Sequence, residues 1–124
     1  VHLGNFLFDQ GTFSGYIDFD LSQRNIRVFD LCYFLAGLLA AQVGNGMEEI
    51  QWYDVISRTT AGYESRIPLT AAEKQAVPYV MENIELLFAA YFNELETKHF
   101  RENALELFWF IFKREEQIWS ALYS

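Results

Sequence analysis

The stretch that decides the N-terminal fold is Asn5 to Asp18, NFLFDQGTFSGYID. Two short runs of β-forming residues flank Asp9-Gln10-Gly11, a combination typical of a hairpin turn. The pattern predicts a β-hairpin in which Asn5 heads one strand and Asp18 follows its partner. Antiparallel pairing would bring the Asn5 amide and the Asp18 carboxylate side by side. Two oxygen ligands in that arrangement suit a hard divalent cation such as Mg²⁺.

Composition narrows the class of protein. The 124 residues amount to a single domain, and the 52% hydrophobic and 18% aromatic content predicts a globular fold. With 17 acidic against 9 basic residues the net charge is −8, which argues against nucleic acid as a partner because phosphate backbones need clustered Lys and Arg. The longest uncharged run, Leu31 to Met47, is too short and too glycine-interrupted to span a membrane.

Cysteine use and the chain start suggest a cellular setting. Cys32 is the only cysteine, so no internal disulfide can form, and its apolar surroundings predict a buried, inert thiol in a reducing, cytoplasmic compartment. No basic leader is visible. The chain opens on Val1 without an initiator Met, and we therefore expect it to begin inside a longer protein.

The remainder of the sequence is predominantly helical in pattern. Apolar periodicity predicts helices over residues 26–43, 47–64, 70–96 and 100–123, with Pro78 kinking or dividing the third. Gly44-Asn45-Gly46 ends the first helix through a left-handed C-cap. Thr70 and Glu73 form a capping-box signature. The predicted fold is α+β and mostly α: a short N-terminal hairpin packed on a bundle of four to five helices, divided into residues 1–25 (hairpin and loop) and 26–124 (helical subdomain).

Two acidic features are hard to explain by packing alone. Asp30 is the only charged residue between Arg27 and Glu48, at the start of a helix expected to be buried. It is either a favourable charge in the first helical turn or a buried brace that accepts N–H groups from the loop at residues 1–5. Asp18-Phe19-Asp20, directly after a strand, is either a turn-forming pair or part of a metal site.

Three motifs together resemble the catalytic core of the aminoglycoside phosphotransferase/choline kinase-like family. These motifs are His2-Leu3-Gly4-Asn5, Tyr16-Ile17-Asp18-Phe19-Asp20 and Phe29-Asp30-Leu31. The family comprises small-molecule kinases whose fold is related to that of protein kinases. Order, spacing and the intervening hairpin match over about the first 40 residues, whereas the later helices fit the family's helical lobe only in a general way. The resemblance implies a C-terminal-lobe fragment of an ATP- and Mg²⁺-dependent phosphotransferase that acts on a small-molecule hydroxyl.

The resemblance also implies a role for each motif residue. Asn5 and Asp18 would be the Mg²⁺ ligands next to the ATP phosphates, and Asp30 the brace of the catalytic loop. His2 would orient the transferred phosphate or the loop itself. Asp20 stands where protein kinases have a glycine, which argues against a protein kinase. The family's catalytic Asp would fall immediately before Val1, and the N-terminal lobe is absent, so the fragment by itself is expected to be inactive.

The sequence gives less information about the residues that would bind the acceptor substrate. The helical region carries seven acidic residues that would suit an amine-bearing acceptor or simply form a solvated face: Glu48, Glu49, Asp54, Glu64, Glu73, Glu82 and Glu85. Asp54, beside Trp52 and Tyr53, and Asp20 are the candidate acceptor residues, since an aromatic–carboxylate pair suits an ammonium group. The alternative is a non-catalytic helical interaction module or degenerate kinase lobe, whose exposed apolar face would drive self-association. A metal-binding hairpin using His2, Asn5 and Asp18 is a third hypothesis.

Overall fold

The computed structural model describes residues 3–17 and 24–124. In these ranges the chain forms a short 3₁₀ turn, a two-stranded antiparallel hairpin and five α-helices. The strands are β1 (Phe6–Asp9) and β2 (Thr12–Tyr16), and the helices are α1 (Phe29–Gln42), α2 (Glu49–Glu64), α3 (Ala71–Glu94), α4 (Lys98–Phe112) and α5 (Glu115–Leu122). The predicted class, a mostly helical chain with an N-terminal hairpin, is confirmed.

The hairpin turn has the geometry that its sequence predicts. Gln10 and Gly11 both lie at positive φ, +49° and +79°, as a two-residue type I′ turn requires. A β-bulge interrupts the ladder because Leu7 pairs with Gly15 while Phe8 pairs with Phe13, which leaves Ser14 as the extra residue. The Ser14 hydroxyl donates a hydrogen bond to the Leu7 carbonyl at 3.1 Å, so the extra residue is tied back to the opposite strand.

The hairpin contacts the helices through aromatic rings. The Phe6 ring lies 5.9 Å from that of Phe13 across the hairpin and 5.7 Å from that of Phe34 on α1. Several other large hairpin side chains remain about half exposed, among them Phe8, Phe13 and Tyr16. The hairpin is therefore fixed to the bundle mainly at one end, through α1.

Helix α1 is the central element of the core. Its buried residues, among them Cys32 and Leu35, lie on one broad face of the helix. The opposite side is partly or fully exposed, at Asp30, Ala40 and Ala41, so the helix is not buried all round as its uniformly apolar sequence predicts. Burial raises the pKa of the Cys32 thiol to about 12, in agreement with the predicted inert cysteine. Helix α2 packs against α1 through Trp52, whose indole N–H donates to the Leu35 carbonyl at 3.0 Å. The rest of the fully buried core is Ile56, Val77, Met81, Ile111 and Ile118.

Helix α3 begins with the predicted capping box. The Glu73 N–H donates to the Thr70 hydroxyl at 3.1 Å, and the Thr70 N–H donates to the Glu73 carboxylate at 2.8 Å. Arg27 also binds this carboxylate through two nitrogens, at 2.7 and 2.5 Å, and it holds the pKa of Glu73 down at about 2. The segment before α1 is thereby fastened to the start of α3. Pro78 lies inside α3 without dividing it.

The predicted single helix over residues 100–123 was wrong, because the chain forms two helices that separate at Lys113 and Arg114. There the Arg114 N–H donates a hydrogen bond to the Ile111 carbonyl, three residues back, at 2.9 Å. This spacing is that of a 3₁₀ turn, and α4 ends there. The Arg114 guanidinium covers the Phe110 ring and binds Glu49 on α2 at 2.6 and 3.2 Å. No Gly or Pro marks this break, since a long-range ion pair accompanies it instead.

Candidate functional site

The hairpin register places Asn5 opposite the end of β2. Asn5 is half-buried and closes the 3₁₀ turn Leu3–Asn5 immediately before β1. Its carbonyl accepts a hydrogen bond from the Ile17 N–H at 2.9 Å, next to the Phe6–Tyr16 pair. Antiparallel pairing therefore brings Asn5 to the residue that directly precedes Asp18. Of the predicted Mg²⁺ site, the structure describes Asn5 and the position of Ile17 beside it.

Three predicted site residues lie outside the described residues. They are His2, Asp18 and Asp20. The roles inferred for them from sequence stay predictions, as does the metal-binding hairpin that would use His2.

Asp30 is described, and the sequence left two roles open for it, a charge in the first helical turn and a buried brace. It occupies the first turn of α1 and is exposed, while its neighbours Leu31 and Cys32 face the core. No described residue donates a hydrogen bond to its carboxylate. This position fits a favourable charge at a helix N-terminus. A brace to the loop at residues 1–5 stays a prediction, because Val1 and His2 lie outside the described ranges.

Asp54 is not part of an open aromatic–carboxylate pair. Its side chain is 58% exposed and binds Arg58, one turn along α2, at 2.8 Å. Trp52 is buried, and its indole N–H donates a hydrogen bond to the Leu35 carbonyl on α1. The Tyr53 hydroxyl donates a hydrogen bond to the Glu49 carboxylate at 2.7 Å. The two rings predicted to help Asp54 hold an ammonium group are therefore engaged elsewhere.

Glu82 and Glu85 on α3 were expected to lie on a solvated face, and they do not. Glu82 is 8% exposed and Glu85 only 4%. Burial raises the pKa of Glu85 to about 7, and burial together with the neighbouring Glu115 carboxylate raises that of Glu82 to about 7. Sequence spacing carried a signal for Glu85, since it follows Met81 by four residues and precedes Phe88 by three, on the same stripe of the helix.

Glu85 lines a cavity of about 270 Å³ between α1, α3 and α4. Among the described residues, the rest of the wall is apolar except for Asn103 and Tyr33, and Glu85 is the only charged residue on it. The lining residues are Tyr33, Ala36, Gly37, Ala40, Glu85, Phe88, Phe92, Phe100, Asn103, Ala104 and Leu107. Ala40, Phe100 and Asn103 are exposed and mark its open side.

Two further searches of the described residues bear on the site. Across residues 3–17 and 24–124, no three His, Cys, Asp or Glu side chains converge as a metal-ligand cluster. Within the same ranges, no helix has both the length and the apolar character needed to cross a membrane.

Comparison of this chain with known protein families, curated protein sequences and solved structures gave no match.

Proposed function

We propose that this chain is part of the C-terminal lobe of a small-molecule kinase, a cytoplasmic enzyme that transfers the terminal phosphoryl group of ATP to an alcohol. The observation that supports the proposal most is the hydrogen bond from the Ile17 N–H to the Asn5 carbonyl at 2.9 Å. It joins Asn5, the last residue of the first motif, to Ile17 in the motif that contains Asp18, as a Mg²⁺ site shared by Asn5 and Asp18 requires. The motifs supply the residue types, and the position of Ile17 beside Asn5 supports the proposed pairing of Asn5 with Asp18.

The residues present fit a hard divalent cation. The Asn5 side-chain amide oxygen and the Asp18 carboxylate are ligands that Mg²⁺ accepts, and these two residues would hold it. When bound, Mg²⁺ neutralises the charge of the ATP phosphates. Asn5 is half-buried at the junction of a 3₁₀ turn and a strand, so its backbone is held on both sides before any ligand arrives. Such preorganisation reduces the cost of positioning the phosphates.

In the proposed reaction the acceptor hydroxyl oxygen forms a bond to the terminal phosphorus while the bond from that phosphorus to the ADP oxygen breaks. The hydroxyl proton passes to a carboxylate base. In the family that this sequence resembles, the base is the Asp two residues before His2, and that position precedes Val1. The role that we assign to the residues of this chain is metal binding.

The experiment measures Mg²⁺-dependent ATP consumption by the longer protein that contains this chain, over a panel of hydroxylated amines and sugars. Asp18→Asn should lower kcat/KM by roughly 100-fold or more, because charge neutralisation at the phosphates is lost. Asp9→Asn is the matched control, since Asp9 is an exposed hairpin carboxylate with no predicted role.

Two results would contradict the proposal. One is full activity in Asp18→Asn, which would remove the metal assignment. The other is the absence of metal-dependent phosphoryl transfer to any acceptor while the protein is folded.

A second candidate, a helical interaction module, is favoured by one surface of α4. Phe108, Trp109 and Phe112 form a ring cluster with centroid distances of 5.2, 5.5 and 6.2 Å. Trp109 is 52% exposed and Phe112 is 50% exposed. If this face drives self-association, sedimentation velocity will show a concentration-dependent dimer that Trp109→Glu abolishes.

A further inference from the structure

Glu85 is a buried carboxylate without a partner. It is 4% exposed, and no described residue donates a hydrogen bond to it. The described wall of its cavity contains no Lys, Arg or His. Carboxylates this buried are normally paired or hydrogen-bonded, because removing the charge from water is unfavourable. Glu85 can therefore pair with a ligand that carries a positive charge or a hydrogen-bond donor.

Aromatic rings extend along the same cavity. The Tyr33 ring lies 6.1 Å from that of Phe88, Phe88 lies 6.1 Å from Phe92, and Phe92 lies 5.3 Å from Phe100. The face of an aromatic ring carries negative potential and attracts organic cations, most strongly where water is excluded. The row of rings leads from the buried interior near Glu85 to the exposed Phe100.

Other ligand classes fit this wall less well. A metal ion would need several oxygen ligands, whereas the described wall offers one carboxylate and the Asn103 amide. An anion would meet Glu85 without any compensating cation. A purely apolar molecule would fill the cavity but leave the Glu85 carboxylate unpaired.

We propose that the cavity between α1, α3 and α4 binds a small hydrophobic amine, with its ammonium group on the Glu85 carboxylate and its apolar body against the rings of Phe88, Phe92 and Phe100. At about 270 Å³ the cavity is slightly below the usual range for small-molecule sites, which suits a ligand with a single ring. The proposal does not rest on phosphoryl transfer, since no hairpin residue lines this cavity.

The test is calorimetric titration of the 124-residue chain at pH 8 with 2-phenylethylamine and with its neutral analogue 2-phenylethanol. The amine should bind about tenfold or more tightly than the alcohol, because only the amine pairs with Glu85. Glu85→Gln should remove this difference by weakening the amine and leaving the alcohol nearly unchanged. Glu106→Gln, which removes an exposed carboxylate from α4, should leave both affinities as in the wild type.

A second variant tests the location of the site. Gly37 lines the cavity, and a Cβ added to it meets no atom within 4 Å, so Gly37→Leu should fill the space without disturbing the helix. It should abolish binding of both ligands. Gly62→Leu, an equally unobstructed position on α2, is the control and should bind normally.

Amine affinity should also rise between pH 5.5 and 8, as Glu85 becomes ionised. The titratable groups on the cavity wall are Glu85 and the Tyr33 phenol, and Glu82 lies one turn earlier on α3. Equal affinity of the wild type for amine and alcohol, or undiminished amine binding by Glu85→Gln or Gly37→Leu, would overturn the proposal. So would the absence of amine binding by the wild-type chain at millimolar concentration.

Discussion

Replacing Glu85 by Gln should change how the stability of the protein depends on pH. The pKa of Glu85 is raised from 4.5 to about 7 because its carboxylate is buried without a hydrogen-bond donor. The folded protein therefore holds the proton more tightly than the unfolded chain does. Stability from this group is fully present below pH 4.5, decreases as the pH rises, and is lost above pH 7. A shift of this size corresponds to about 3 kcal/mol.

Glutamine has the shape of the protonated glutamate but does not titrate. Glu85→Gln should therefore match the wild type near pH 4.5 and exceed its free energy of unfolding by up to about 3 kcal/mol at pH 8. Urea denaturation followed by tryptophan fluorescence measures this difference, because Trp52 is fully buried. Taking the difference between the two proteins largely cancels the titration of Glu82. Parallel stability curves from pH 4.5 to 8 would show that Glu85 is solvated or paired, and would refute the argument.

Three smaller changes test the fold by urea denaturation. Gln10→Asn should stabilise the chain by about 0.5 kcal/mol, since Asn tolerates positive φ better in a type I′ turn, and a loss would contradict that turn type. Thr70→Ala should cost about 1 kcal/mol by removing the hydroxyl that accepts the Glu73 N–H, whereas no change would show that the cap is unimportant. Ile118→Ala should cost roughly 2–5 kcal/mol because Ile118 is fully buried, against less than about 0.5 for the exposed Ile50→Ala; similar losses would mean that α5 is not docked.

Local sequence rules predicted the features that depend on neighbouring residues. The hairpin, the capping box at Thr70 and a break between the third and fourth helices all follow from short patterns, and the structure contains each of them, although the third helix ends two residues before the predicted residue 96. The division between α4 and α5 did not follow from such a pattern. It coincides with the contact of Arg114 with Glu49, 65 residues earlier in the chain. Local helix propensity cannot predict a contact between residues so far apart in the sequence.

Local sequence patterns were also insufficient to predict which acidic residues of the candidate sites are buried. The sequence left an exposed first-turn charge and a buried brace open for Asp30, because a first-turn residue can face solvent while the next two face the core. Glu85 was read as solvated because most surface helices carry glutamates. Its place on the stripe of Met81 and Phe88 carried the contrary signal, but only packing against α1 and α4 shows that this stripe borders a cavity.

Helix α1 connects the two candidate sites. Its Phe34 ring contacts Phe6 at the base of the hairpin, and the adjacent Tyr33 lines the cavity together with Gly37. A ligand beside Glu85 would therefore contact the same helix that packs against the hairpin next to Asn5. None of the described residues belongs to both the cavity and the proposed Mg²⁺ site. Loss of amine binding in Gly37→Leu with intact phosphoryl transfer would show two independent sites, and loss of both would show that the cavity holds the phosphoryl acceptor.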